Sequence, residues 1–302
     1  NLKNHIGLPV TLLRLKKEHD IAVVEMGANH PGEIETLVNI ALPDFGIITN
    51  IGKAHLEGFG SFEGVIKTKG ELYDFLRANN RVAFVNSDNE ILTNIANGIE
   101  QVKYGKEGNG NFASAEVKDA SPFLSIKYNN CTIQTNLIGI YNFENVLAAI
   151  TIGKYFDVPG TEIASALENY VPTNNRSQLK KTEKNSLIID AYNANPTSMR
   201  ASLMNFMNIS AENKCVILGD MRELGNDSQK EHEAIVNLLC SYDFKEIHLV
   251  GSEFKKVAAS RMKTYENVAE LIDFIKGNPI AGSTILIKGS NSMQLIKTVD
   301  FL

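Results

Sequence analysis

The sequence lacks several patterns that would point at once to a common class of enzyme. Its 302 residues contain no GxxxxGK[ST] phosphate-binding loop, no GxGxxG fingerprint after a strand and no GxSxG turn. The missing GxGxxG fingerprint argues against a dinucleotide-dependent oxidoreductase. No two of the six histidines form a His-x-His pair, which a dimetal hydrolase would normally need.

Cysteine, long apolar runs and net charge are also scarce. Cys131, Cys215 and Cys240 are far apart and form no CxxC pair, which argues against a disulfide framework or a zinc site and indicates a reducing compartment. No apolar run reaches transmembrane length, so we expect a cytoplasmic protein without membrane insertion. The net charge of −5 argues against nucleic-acid binding. The oligomeric state is not encoded in any pattern, and we expect a monomer.

Short apolar runs alternate with helical patterns, which predicts βαβ units and a mainly parallel sheet, an α/β fold. A hairpin signal at Asn129-Asn130 predicts a small antiparallel appendage on the first half. The polar segment 171–176 predicts a domain boundary, with one domain over 1–173 and a second, Rossmann-like domain over 174–302. The predicted strands cover residues 21–24, 46–50, 82–86, 123–128, 132–137, 187–190, 214–218, 246–250 and 284–288.

The segment EMGANHPGEI at 25–34 follows the first predicted strand. If residues 21–24 form a buried strand, Glu25 lies at its carboxyl end, where open parallel sheets bind their ligands. A carboxylate there, without a cationic neighbour in the sequence, is a candidate metal ligand. The alternative is a solvated carboxylate in a loop, and this segment alone does not decide between them.

His55 and Lys69 extend this candidate metal site. His55 lies in a glycine-rich loop after the second predicted strand, and Lys69 occupies the centre of the apolar stripe on the helix that follows. Lys69 either extends its amine to solvent along a buried stem or is buried, with a lowered pKa. A neutral amine can react with carbon dioxide to form a carbamate, whose oxygens are ligands of the type that Mg²⁺ prefers. Glu25, His55 and Lys69 together predict a metal site at one edge of the sheet.

Asn142 and Asn145 lie three residues apart at the start of a predicted helix over 142–155 and therefore share a face. Their amides offer the donors and acceptors that match the edge of a purine base. The simpler alternative is that Asn142 is the N-cap of the helix.

A second polar loop begins where the strand over 187–190 ends. Asp190 could accept hydrogen bonds from two ribose hydroxyls, and Tyr192 offers an aromatic face to a base. The alternative is an Asx-turn before the helix that Pro196 begins. Near the end of the chain, Lys288 follows another strand and precedes a glycine, an arrangement that suits either an anion site or an ordinary βα turn.

Five segments, in order along the chain, resemble the Mur ligase family. They are EMGANHPGEIETL (25–37), NIGKAHLEGFGSFEGVIKTKGELY (50–73), GIYNFENVLAAI (139–150), DAYNANPTSM (190–199) and LGDMRELG (218–225). Within the family they are similar to the enzymes that add D-alanyl-D-alanine to UDP-N-acetylmuramoyl-tripeptide in peptidoglycan synthesis. The resemblance implies an ATP-binding central domain that is incomplete at its start. The family's phosphate loop and UDP-binding domain would precede Asn1, so we expect the chain alone to be inactive.

The resemblance also implies a mechanism and a set of site residues. ATP phosphorylates the terminal carboxylate of the tripeptide, and the amine of D-alanyl-D-alanine attacks the acyl phosphate to give an amide and phosphate. Two Mg²⁺ ions compensate the negative charge, one bound by Glu25 and the other by His55 and carbamylated Lys69. The nucleotide is assigned to Asn142, Asn145, Arg176, Asp190, Tyr192 and Asn193, and the other substrates to Asn195, Lys288 and Ser290.

Three other interpretations remain open. A sibling ligase such as folylpolyglutamate synthase shares the ATP site but not the pairing of DAYNANP with LGDMRELG. A non-catalytic nucleotide-binding module is compatible with the missing phosphate loop. A hydrolase with a carbamylated lysine and two metal ions would require the His-x-His pair that the sequence lacks.

Overall fold

The computed structural model describes residues 3–53, 56–106, 110–173 and 175–302. Its packing divides the chain into two compact units. The first comprises Asn1–Ala115 and Glu144–Pro159, and the second comprises Glu116–Phe143 and Gly160–Leu302. The predicted α/β class, with a parallel sheet, an antiparallel sheet and a second parallel sheet, is confirmed. The predicted boundary at residue 173 stays a prediction.

The first unit is built on a four-stranded parallel sheet of order β1-β2-β3-β4. Its strands are β1 (Phe45–Ile47), β2 (Val82–Asn86), β3 (Glu100–Gly105) and β4 (Ala113–Ser114). Its helices are α1 (Gly7–Leu12), α2 (Glu33–Ala41), α3 (Leu56–Phe59), α4 (Phe62–Ala78), α5 (Glu90–Ile95) and α6 (Phe143–Tyr155), the last entering this unit at Glu144.

Helix α4 covers one face of this sheet. It begins after Ser61, whose hydroxyl accepts a hydrogen bond from Gly64 N at 3.0 Å and so caps the helix. Tyr73 and Leu76 are fully buried against β2. Gly46 in β1 allows this approach, because a Cβ atom there would lie 2.8 Å from Leu76 Cδ1. The packing of α4 therefore brings Lys69 to the sheet.

The predicted strand over 21–24 is wrong. These residues form no strand, and Ile21 and Val23 are 53% and 90% exposed. A β-branched run becomes a strand only when its backbone groups pair with a neighbouring strand. Within the described residues, the sheet of the first unit offers no such neighbour to this segment. Glu25 consequently follows an extended surface segment and not a strand.

The second unit contains a six-stranded sheet of order β12-β11-β10-β13-β9-β8, parallel except for β8, and a three-stranded antiparallel sheet β5-β6-β7. The strands are β5 (Glu116–Asp119), β6 (Phe123–Tyr128), β7 (Cys131–Ile138), β8 (Gln178–Lys181), β9 (Asn185–Asp190), β10 (Lys214–Gly219), β11 (Glu246–Val250), β12 (Lys263–Tyr265) and β13 (Ser283–Lys288). The predicted antiparallel appendage is thus present, and it belongs to this unit.

The helices of the second unit are α7 (Gly160–Asn169), α8 (Pro196–Asn208), α9 (Ser228–Cys240), α10 (Ser252–Val257) and α11 (Val268–Gly277). Short 3₁₀ segments span Ile140–Asn142, Gly225–Asp227, Asn291–Met293 and Leu295–Phe301. In the part of the chain that the structure describes, no helix combines the length and the apolar character needed to span a bilayer.

The order of the central strands positions the polar residues at their ends. Strand β13 lies between β10 and β9, and its last residue, Lys288, is in register with Asp190 on one side and Leu218 on the other. The interior of this sheet is apolar, with Leu187, Ile217 and Ile287 fully buried. Asp190 and Lys288 therefore end adjacent strands at the carboxyl edge, where α/β sheets bind ligands.

Candidate active site

Glu25 lies at the start of a loop that is held by hydrogen bonds between backbone and side-chain groups of the loop itself. Its carboxylate is about half exposed, and Lys3 Nζ donates to Oε1 at 3.2 Å. A few residues on, Glu33 Oε2 accepts hydrogen bonds from Asn29 N at 2.7 Å and His30 N at 3.2 Å. The Asn29 N–H is the main cause that lowers the pKa of Glu33. The loop after Glu25 is therefore closed on itself by a charged carboxylate.

This loop is also attached to α3 and α4. Glu71 on α4 accepts hydrogen bonds from Gly32 N at 2.8 Å and Glu35 N at 2.9 Å, which supports the amino end of α2. Gly58 in α3 approaches the loop so closely that a Cβ atom there would lie 2.1 Å from Asn29 O. Three separate segments, around residues 25–33, 56–59 and 69–71, thus meet at one place in the first unit.

Lys69 is partly buried at this place. Its amine donates to Asn50 O, the residue that follows the end of β1 by three positions, at 2.8 Å. Burial is the main cause that lowers the pKa of Lys69, and the positive charge of Lys3 lowers it further. Because Lys3 also binds Glu25, the Glu25 carboxylate and the Lys69 amine lie in the same neighbourhood. The Lys69 amine is thus bound to the backbone of the loop after β1.

His55, the third residue of the predicted metal site, lies outside the described residues. Within the described ranges, no group of three or more histidine, cysteine, aspartate or glutamate side chains is arranged to hold a metal ion. The joint site of Glu25, His55 and Lys69 accordingly stays a prediction.

Asn142 and Asn145 are adjacent to the same helix start. Asn142 ends a 3₁₀ turn, is buried, and donates through Nδ2 to Ile138 O at 2.8 Å. Asn145 lies in the first turn of α6 and is exposed. Their contact with a base stays a prediction.

In the second unit, Asp190 and Lys288 form an ion pair. Lys288 Nζ donates to Asp190 Oδ2 at 2.7 Å and to Asn193 O at 3.1 Å. The side chain of Lys288 is only 2% exposed, and that of Asp190 is 13% exposed. The two residues assigned to different ligands by sequence therefore bind each other.

Arg176 and Tyr192 form a cation–π pair beside Asp190. The guanidinium carbon of Arg176 lies 4.0 Å from the centroid of the Tyr192 ring. The exposed Arg176 is positioned through its neighbour Asn175, whose carbonyl oxygen accepts from Ala191 N at 2.9 Å. One face of the Tyr192 ring, which the sequence suggested for a base, is thus occupied by a cation.

The remaining predicted residues have local partners. Asn195 Oδ1 accepts from Ser198 N at 2.8 Å and caps α8, and Asn193 Oδ1 accepts from Ala194 N at 2.9 Å. Ser290 is buried, and its hydroxyl accepts from Arg222 N at 3.1 Å. The contact of Asn193 with the nucleotide and the contacts of Asn195 and Ser290 with the other substrates stay predictions.

Sequence reasoning overlooked Tyr141. Its hydroxyl shares a hydrogen bond of 2.7 Å with Ser177 Oγ, and burial, together with the charge of Asp190, raises its pKa. Tyr141 is therefore a neutral hydroxyl close to the Asp190 carboxylate. Its position next to Asn142 in the segment GIYNFEN was the available signal.

Asp220 lies in the segment LGDMRELG, and the sequence alone gave it no specific role. It is fully buried and accepts hydrogen bonds from Glu253 N at 3.1 Å and Phe254 N at 2.9 Å. Gly251 must lack a side chain there, because its Cβ atom would lie 2.2 Å from Asp220 Oδ2 and its φ is +120°. Asp220 fixes the loop that holds Arg222 beside Ser290.

Two known domain models match consecutive parts of the chain. The model of the Mur ligase middle domain matches residues 1–153, and the model of the Mur ligase glutamate ligase domain matches residues 175–291. The chain belongs to the Mur ligase family. The two matches follow each other in the order that the five sequence segments indicated.

Named relatives resemble this Mur ligase over its whole length. The UDP-N-acetylmuramoyl-tripeptide–D-alanyl-D-alanine ligase of Bacillus subtilis (strain 168) is 31% identical, with 100% of this chain and 68% of the relative covered. The enzyme of the same name from Treponema pallidum (strain Nichols) is 32% identical, with 98% and 66% covered. The chain therefore spans about two thirds of the length of these relatives.

Solved structures give the same result for the fold of this Mur ligase. A crystal structure of MurF from Acinetobacter baumannii superposes with a TM-score of 0.86 at 29% identity, covering 99% of this chain and 68% of that one. MurF from Thermotoga maritima in complex with ADP superposes with a TM-score of 0.84 at 21% identity, covering 98% and 70%. The second similarity supports the fold only.

Proposed function

We propose that this Mur ligase joins UDP-N-acetylmuramoyl-tripeptide to D-alanyl-D-alanine in an ATP-dependent reaction of peptidoglycan synthesis. The observation that carries the proposal is the match to enzymes of that name over 98–100% of the chain at 31–32% identity. The first unit supports it, because the Glu25 carboxylate and the Lys69 amine, whose pKa is lowered, both interact with the Lys3 amine there.

The donor set of the first unit fits Mg²⁺. Glu25 already attracts a cation, the Lys3 amine, and carboxylate oxygens are the ligands that Mg²⁺ prefers. We assign one ion to Glu25 and a second to His55 and Lys69. When bound, Mg²⁺ neutralises phosphate charge and polarises the transferred phosphoryl group.

Lys69 would contribute after modification. A neutral amine attacks the carbon of carbon dioxide through its nitrogen lone pair, forms an N–C bond and releases one proton. The product is a carbamate that carries one negative charge. The lowered pKa of Lys69 favours the neutral amine that this step requires, and the hydrogen bond to Asn50 O holds the amine in place.

The nucleotide assignments follow the chemistry of the side chains. Asn142 and Asn145 would contact adenine, and Asp190 would accept hydrogen bonds from the ribose hydroxyls. Arg176 would contact the phosphates. Its guanidinium is exposed on the face of Tyr192 and free of a carboxylate partner among the described residues, so its charge remains available to an anion.

In the reaction, the terminal carboxylate of the tripeptide attacks the γ-phosphorus of ATP and releases ADP. The amine of D-alanyl-D-alanine then attacks the acyl carbon, and the tetrahedral intermediate expels phosphate and loses a proton. Each step brings together groups that carry negative charge. The Arg176 guanidinium would serve to offset part of that charge.

An assay of the gene product that contains this chain tests the proposal. We expect ADP and the UDP-muramoyl-pentapeptide in equal amounts, detected by mass spectrometry, and only when both the tripeptide and D-alanyl-D-alanine are present. Glutamate addition to a folate in place of this product would identify the sibling ligase and overturn the proposed substrates. Nucleotide binding in a titration of Mg²⁺–ATP, without turnover of any pair, would identify a non-catalytic module.

A further inference from the structure

The buried amine of Lys288 is the feature of the second unit that the proposed reaction leaves unexplained. Lys288 is 1% exposed and ends β13 in register with Asp190 at the end of β9. A buried ammonium is costly unless it is paired and hydrogen-bonded. Here it is both, because Nζ donates to Asp190 Oδ2 at 2.7 Å and to Asn193 O at 3.1 Å.

These contacts make Lys288 a poor direct ligand of a substrate. To reach an acyl phosphate or a dipeptide, its amine would have to leave both acceptors and leave the Asp190 carboxylate unpaired. The cost of a buried charge that loses its partner is larger than the gain from one new contact near the surface. The sequence-based assignment of Lys288 to the substrates therefore conflicts with its surroundings.

The same contacts fix two parts of the loop after β9. The bond to Oδ2 sets the orientation of the Asp190 carboxylate, and none of the described residues donates to its other oxygen, Oδ1. The bond to Asn193 O holds the loop backbone three residues further along. One lysine thus determines which carboxylate oxygen points away from the sheet.

We propose that Lys288 is a positioning residue for nucleotide binding, which holds Asp190 through Oδ2 and presents Oδ1 to the ribose hydroxyls. This inference rests on the proposed function, because it takes the ribose as the ligand of Asp190. It assigns Lys288 no contact with the nucleotide, the acyl phosphate or the dipeptide.

The test compares nucleotides that differ only in the hydroxyls at issue. The affinities of ATP and 2′,3′-dideoxy-ATP are measured by calorimetry, with Mg²⁺, on the full gene product and its Lys288→Met, Asp190→Asn and double variants. We expect Lys288→Met to lower the affinity for ATP about 10- to 100-fold, as loss of a positioning contact does. The affinity for the dideoxy analogue should change little, so the ratio of the affinity for ATP to the affinity for the analogue should fall.

The double variant separates positioning from direct contact. If Lys288 acts only through Asp190, adding Lys288→Met to Asp190→Asn should not change the ratio of the affinities for ATP and the dideoxy analogue any further. The effects of the two substitutions would then be non-additive. Because it buries no charge, the double variant should fold even where Lys288→Met does not. Lys214→Met is the matched control. Lys214 is partly buried at the opposite end of the neighbouring strand β10, and its amine donates to Met207 O.

Two results would overturn the inference. One is an unchanged ratio of nucleotide affinities in Lys288→Met together with a lower kcat, which would indicate direct contact with the reacting groups. The other is equal binding of ATP and the dideoxy analogue by the unmodified protein. If the unmodified protein binds ATP more tightly than the dideoxy analogue but forms no amide, only the proposed substrates are overturned.

Discussion

At the scale of single residues, burial and one neighbouring charge together lower the pKa of the Lys69 amine. An apolar stripe brings the lysine stem to the sheet, and the amine is satisfied by Asn50 O at 2.8 Å. Burial first and Lys3 second lower its pKa. Both causes favour the neutral amine, which is the form that reacts with carbon dioxide.

We predict that Lys69→Ala reduces kcat/KM for ligation by at least about 100-fold, because it removes the proposed metal ligand itself. Added formate or acetate should restore part of the activity, since a free carboxylate can take the place of the carbamate. Lys67→Ala, an exposed lysine on the same helix, is the control and should change little. Absence of rescue at any carboxylate concentration would count against the carbamate.

Sequence reasoning found many of the residues of the candidate site but not their pairing. Asp190 and Lys288 were both selected because each ends a strand. Their mutual bond depends on the register of β9 and β13, which are 98 residues apart in the chain. Local patterns carry no information on that register. The cation–π pair of Arg176 with Tyr192 escaped prediction for a similar reason, since it depends on the folded loop.

At the scale of elements, strands with an apolar centre were predictable, and short or polar strands were not. The strands β2, β10, β11 and β13 have mostly apolar, buried centres and were found close to their observed bounds. Strand β8 has the sequence QLKK and was missed, because an edge strand can be polar. The apolar run 21–24 was predicted as a strand but does not form one, since it has no partner strand among the described residues.

The contact between α3 and the loop after Glu25 leads to a prediction about that element. Gly58→Ala would place a Cβ atom 2.1 Å from Asn29 O, a backbone atom that cannot move alone. We expect a loss of roughly 1–3 kcal/mol in the free energy of unfolding and weaker Mg²⁺–ATP binding, because the loop that carries Glu25 must shift.

Gly70→Ala in α4 is the matched substitution, because a Cβ atom there meets nothing within 4 Å. It should raise the free energy of unfolding by about 0.5–1 kcal/mol and leave nucleotide binding unchanged. Urea denaturation and calorimetry measure both effects. Equal stability of the two variants would show that α3 does not press on the loop.

At the scale of the whole molecule, stability should depend on pH through a histidine far from the candidate site. His248 is fully buried on β11, with Nδ1 2.9 Å from Tyr265 Oη. Its Nε2 lies 3.2 Å from Glu246 Oε2, whose negative charge opposes part of the effect of burial on the pKa of His248. Burial lowers the pKa of His248 from 6.5 to about 4.

Between pH 6.5 and about 4, His248 therefore carries a proton in the unfolded chain but not in the folded chain. Because stability rises with pH wherever the unfolded state binds more protons, the free energy of unfolding should fall by roughly 1–3 kcal/mol as the pH drops through this window. His248→Gln should flatten the dependence, and His19→Gln, at an exposed histidine, should not. Parallel curves for all three proteins in urea would contradict the assignment.

The central claim is that a carboxylate of the tripeptide is activated by phosphoryl transfer before the amide forms. It is tested most directly with UDP-N-acetylmuramoyl-tripeptide labelled with ¹⁸O in its terminal carboxylate, incubated with ATP, D-alanyl-D-alanine and the full gene product. Mass spectrometry of the released inorganic phosphate should reveal one ¹⁸O atom per amide formed, because the acyl oxygen leaves with the phosphate. Amide formation with unlabelled phosphate would contradict the account.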